Sequence, residues 1–128
     1  FSSAMKLNTQ YMHIVHFNLK MKEAMTMTQV IDIFHANPLI AVTEKKLASQ
    51  VFSFGRDHGH FGRILNQTVV STPSLQLIDG GRELVGFCFT PQDGNSLLSS
   101  ISAATWFMYP NSYEQKIQAL SEWFFDEV

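Results

Sequence analysis

Residues 11–43 read YMHIVHFNLKMKEAMTMTQVIDIFHANPLIAVT, and within this stretch the hydrophobic period changes twice. From Tyr11 to Met21 it is two. Tyr11, His13, Val15, Phe17, Leu19 and Met21 share one face; Met12, Ile14, His16, Asn18, Lys20 and Lys22 share the other. Aromatic and β-branched residues in that alternation predict a strand. Its second face is apolar at one end and charged at the other, as on a strand only partly covered there. Thr26, with Gln29 three residues later, forms a capping box that satisfies free N–H groups at a helix start. Met27, Val30, Ile31 and Phe34 then recur at helical spacing. Asn37-Pro38 ends this helix, because the proline ring pushes the preceding residue out of the helical region. Leu39 to Thr43 is a short apolar run, read as a buried strand.

Working outward, Leu47, Val51 and Phe54 mark a second helix that Gly55 or Gly59 would stop. Strands are expected near residues 66–70 and 75–78. Asp79-Gly80-Gly81 is a strong turn signal leading into Glu83–Thr90, so residues 75–90 read as a hairpin. Leu97, Leu98, Ile101, Ala104, Thr105 and Met108 give a third helix. Pro110 interrupts, and Ile117, Leu120 and Phe124 give a fourth, capped by Asn111 or Ser112. No internal repeat or low-complexity linker is visible. The expected architecture is one α+β domain over residues 1–128: a mostly antiparallel sheet with helices packed on one face. The other face then needs a cover, which another chain would supply. Because the sequence opens on Phe1, it is read as a piece of a larger protein.

Composition narrows the function classes. The 128 residues are 45% hydrophobic and 16% charged, ordinary for a folded domain and too apolar for a disordered one. Net charge is −2 with scattered Lys and Arg, which argues against nucleic acid or an anionic membrane as partner. A single cysteine, Cys88, excludes an internal disulfide framework and a cysteine-based metal cage, and fits a reducing compartment. No apolar run approaches the ~20 residues of a membrane span. A signal-peptide pattern is missing too, so a cytoplasmic location is expected.

The chemistry-bearing residues are few. His13 and His16 fall on opposite faces of the predicted strand and cannot jointly hold a metal. In GRDHGHFGR (residues 55–63), Asp57 and His60 have a spacing that zinc tolerates, but no second ligand pair accompanies them, so no metal is expected. The simpler reading of this stretch is a polar loop at a helix end, where a histidine suits the carboxyl-terminal dipole. Its glycines follow a helix and lack the Gly-Lys-Ser/Thr ending, which is the wrong context for a phosphate loop. Cys88, between Phe87 and Phe89, reads as a buried, inert thiol. Trp106, Trp123, Phe124 and Phe125 read as core or interface.

Residues 4–44, AMKLNTQYMHIVHFNLKMKEAMTMTQVIDIFHANPLIAVTE, resemble the archaeal-type (type II) glyceraldehyde-3-phosphate dehydrogenases. The likeness lies in Thr9-Gln10-Tyr11-Met12-His13, Asn18, the helix from Thr26 to Asn37-Pro38, and the strand Leu39–Glu44. It continues in Arg56-Asp57-His58-Gly59, in Glu83–Phe89 followed by Pro91-Gln92-Asp93, and in Ile101-Ser102-Ala103. It spans residues 4 to about 108, and order and spacing carry it more than any single motif. The resemblance implies that this chain is the carboxyl-terminal part of a catalytic domain, with His13 as the acid/base partner of a cysteine nucleophile. It also implies Gln92 near the cofactor side of the site. A histidine in that role lowers the thiol pKa and moves the hydroxyl proton during aldehyde oxidation. NAD or NADP and a small phosphorylated aldehyde are implied for the intact protein, whose nucleotide-binding domain and nucleophile belong to the upstream part. None is expected bound to this chain alone. Apolar residues on both faces of the first strand predict a homo-oligomer, to which the resemblance also points, with Met12 and Ile14 near the contact if the first face looks toward the helices. Two departures stand out: the family's second histidine is Val15 here, and the histidine of its His-Gln-Glu is Pro91. They leave open a non-catalytic oligomerisation or interaction domain derived from the same fold.

Overall fold

The computed structural model describes residues 12–59, 66–92 and 94–128, the side chains of 94–97 excepted. Tyr11, His60 and Asp93 lie outside the described residues. The first strand, β1, runs Met12–Lys20, and the first helix, α1, Met27–Ala36. The capping box forms as read, with the Gln29 N–H donating to the Thr26 hydroxyl and the Thr26 N–H to the Gln29 side chain. Strand β2 (Ile40–Thr43) and helix α2 (Ala48–His58) follow. Gly59 caps α2, while Gly55 is buried inside it. The hairpin appears as β4 (Gln76–Ile78) and β5 (Glu83–Pro91), preceded by β3 (Thr68–Ser71). Helix α3 spans Gly94–Met108. The fourth helix is shorter than read: α4 covers Tyr113–Ile117 and then tightens into a 3₁₀ turn over Gln118–Trp123.

The result is an α+β fold on a mixed, mostly antiparallel sheet of order β1-β5-β3-β2, with β4 also pairing with β5. β5 is the hub. β1 lies antiparallel along its whole length on one side. On the other side, β3 pairs with its carboxyl-terminal half and β4 with its amino-terminal half. The parallel pair is β2 with β3, linked through α2.

Alternation along β5 sorts the core into two layers. On one face Val70, Leu84 and Cys88 are buried with Leu75 and with Val30 of α1, and Phe17, Met27, Ile31 and Phe34 pack around them. On the other, Met12, Ala41, Val69 and Phe89 are buried with Val51 of α2 and with Val128, and Phe52, Phe54 and Phe125 pack around them. The helices therefore cover both faces, where the sequence reading puts them on one. Strand periodicity shows which residues share a face but not where a helix docks. The signal for two-sided cover is the continuous run in β2, whose Ala41, Val42 and Thr43 are all buried.

The tail closes this second layer. The Val42 N–H donates to the Asp126 carbonyl (3.4 Å), and the Val128 N–H donates to the Val42 carbonyl (2.9 Å). The Thr43 hydroxyl donates to the Val128 carbonyl. Buried Gln67 ties three segments together. Its Nε2 donates to the carbonyls of Pro38 (3.1 Å) and Phe125 (3.0 Å), and its Oε1 accepts from the Phe125 N–H at 2.7 Å. Met12, expected near a subunit contact, is instead a fully buried core residue beneath α2.

Candidate functional site

The long β1–β5 ladder positions the residues that the sequence singles out. His13 stands opposite Thr90, and Met12 opposite Pro91. Gln92 follows β5 directly and is exposed. At ~3.4 Å per residue it lies about 7 Å along the strand direction from the residue facing His13. The two residues, far apart in sequence, thus lie toward the same end of the β1–β5 ladder. His13 is exposed as well, and among the described residues its imidazole has no hydrogen-bond or ionic partner. An uncommitted imidazole held on a well-paired strand suits proton transfer to a group brought from outside.

The register gives the remaining candidates different roles. Cys88 shares the His13 face but is buried opposite Val15 and Val70. Burial pushes its thiol above the ordinary range, so it stays protonated at neutral pH and is a poor nucleophile. His16 lies on the opposite face, as read, with its ring 5.0 Å from that of its cross-strand partner Phe87. At the end of α2, Arg56 forms an ion pair with Asp57 (2.7 Å). The hydrogen bond from Arg56 holds the Asp57 carboxyl below its usual range. The His58 ring packs 4.9 Å from Phe54. Among the described residues, no group of three or more potential ligands could hold a metal ion.

Two apolar surfaces accompany the site. On the face that α2 covers only in part, Ile14 (37% exposed), Phe87 (44%) and Ile78 (43%) form an open patch around half-buried Val85. Phe87 and Ile78 were legible at alternate positions of the hairpin, although the sequence reading did not single them out. The second surface is the exposed run Trp106–Tyr109 at the end of α3, with the Lys116 ammonium 4.2 Å above the Tyr109 ring. Among the described residues, no helix is long and apolar enough to cross a membrane. No protein-family model matches the chain, and neither a curated protein nor a solved structure matches it.

Proposed function

We propose that this chain is the carboxyl-terminal part of the catalytic domain of an NAD(P)-dependent dehydrogenase acting on glyceraldehyde 3-phosphate or a similar phosphorylated aldehyde. His13 is its acid/base residue. The observation that supports this reading is that His13 and Gln92, both exposed, lie toward the same end of the β1–β5 ladder. These are the two residues to which the resemblance gives roles. His13, exposed and with no side-chain partner among the described residues, takes the hydroxyl proton as the aldehyde carbon is oxidised. The nucleophilic thiolate comes from outside these residues, since buried Cys88 is protonated. Toward a cofactor site, the described residues contribute the exposed Gln92 amide. That suits the rim of such a site and not its phosphate-binding part.

The test is the oxidation of glyceraldehyde 3-phosphate by the intact protein. His13→Ala is expected to lower kcat/KM by ~10²–10⁴-fold, the range for a lost general base, with the fold preserved by circular dichroism. An unchanged rate, or an intact protein that oxidises no phosphorylated aldehyde, rejects the enzyme reading. The unchanged rate is what the second reading expects, in which the domain keeps the sheet for assembly and has lost catalysis. Two observations favour that alternative: the open patch around Ile14 and Phe87, and Val15 and Pro91 in place of the family's histidines. Both readings give the chain subunit contacts in a homo-oligomer.

A further inference from the structure

The outer edge of β1 is the longest unpaired strand edge among the described residues. β1 pairs with β5 through nine consecutive residues without a bulge, and no other described strand lies on its far side. Edge strands are ordinarily blunted by shortness, proline, bulges or charge, because their free N–H and C=O groups template further pairing. Between Met12 and Leu19 β1 carries none of these devices, and its first charged residue is Lys20 at the far end. An extended backbone can add to such an edge through main-chain hydrogen bonds.

We propose that β1 pairs antiparallel with β1 of a second copy, about a two-fold axis through Phe17, joining two sheets into one. The side chains choose the occupant and the register. With Phe17 at the axis, Val15 (40% exposed) faces the other copy's Leu19 (49% exposed), and the pairing occurs twice. Directly opposed residues on one sheet face approach to ~5 Å, close enough for each of these apolar side chains to cover the other. His13 then faces Met21, and His16 faces Asn18. The Asn18 Nδ2 is already bound to Glu83 at 2.6 Å, which leaves its oxygen to accept from an imidazole N–H. Lys20 falls opposite Ile14 (37% exposed), so like charges do not meet within the strand, and its alkyl stem lies along apolar surface. Moving the axis to His16 sets that ring against its own copy and gives Leu19 to His13. Moving it to Asn18 gives Val15 to Met21. Phe17 is the centre that matches the two most exposed apolar residues of the strand. This contact is independent of the dehydrogenase reading, and it is distinct from the open patch on the sheet face.

The experiment is light scattering and sedimentation of the 128-residue chain from micromolar to near-millimolar concentration. The wild type is expected to pass from 14.5 kDa to twice that mass. The Val15→Lys/Leu19→Lys chain, which sets lysine against lysine, is expected to stay monomeric. The Val15→Glu/Leu19→Lys chain, which sets glutamate against lysine in this register only, is expected to recover the dimer. Both positions are part-exposed, and circular dichroism verifies each fold. Independently of any variant, amide exchange along β1 in the wild type is expected to slow as concentration rises. A wild type that remains at 14.5 kDa, a dilysine chain that dimerises undiminished, or β1 exchange indifferent to concentration overturns the proposal. A glutamate–lysine chain no better than the dilysine chain overturns the register and the proposal with it.

Discussion

Between Val15 and Val70, on the sheet face beneath α1, the Cys88 thiol is deprived of water, and its pKa rises above the ordinary value. The folded state therefore holds the proton more tightly than the unfolded chain does. Stability from this group is complete below the unfolded thiol's range, ~8.5, and is lost as pH climbs through the higher folded value. Urea unfolding at rising alkaline pH should accordingly show a loss of stability that Cys88→Ser does not share. At neutral pH, the thiol should react with an aromatic disulfide reagent only as fast as the chain opens. Rapid labelling of the folded chain would contradict its burial. Residue identity alone was enough to read this thiol as inert, since Phe87 and Phe89 flank it. His13 was legible as a strand residue on a known face. What stands opposite it was not, because Thr90 belongs to a distant strand and register is set by the whole ladder.

The turn between β4 and β5 shows the same limit at the level of elements. Asp79-Gly80-Gly81 reads as a turn from composition, and all three residues adopt positive φ. The two glycines are nonetheless not equivalent. A Cβ on Gly80 (φ +61°) would meet nothing within 4 Å, so Gly80→Ala should cost only the ~1–2 kcal/mol of the left-handed conformation. A Cβ on Gly81 (φ +86°) would stand 2.6 Å from the Met25 carbonyl oxygen. That same loop donates the Met25 N–H to the Gly81 carbonyl at 2.9 Å. Relieving the clash means moving backbone that anchors the start of α1. Gly81→Ala should therefore cost about 2–4 kcal/mol, clearly more than Gly80→Ala, by urea unfolding. Equal costs would show that the loop yields freely. No local signal distinguishes the two, since Met25 is remote in sequence. The fourth helix is a parallel case. Ile117, Leu120 and Phe124 keep helical spacing, yet the chain tightens after Ile117 so that Phe125 and Val128 can reach the Met12 layer. Tertiary burial overrides the local pattern there.

For the molecule as a whole, the α+β class and the mostly antiparallel sheet follow from the change of period across residues 11–43 and from the hairpin. The two-sided helix cover does not, because docking depends on which strands end up adjacent. The assembled sheet also permits a test of where a dinucleotide would bind. A pyrophosphate is cradled by a glycine-rich turn that leads from a strand into a helix amino terminus. Among the described residues, three passages lead from a strand into an α-helix. Residues 21–26 read MKEAMT and residues 44–47 EKKL, neither with a glycine. The passage from β5 to α3 is Gln92-Asp93, followed by the single Gly94. None of these sequences is the glycine-rich turn that lets backbone N–H groups approach two phosphates closely. The chain by itself should then give no binding heat with NAD or NADP in isothermal titration and should oxidise no aldehyde, even if the intact protein does both. Micromolar binding would show that a cofactor site exists on this sheet without a glycine turn.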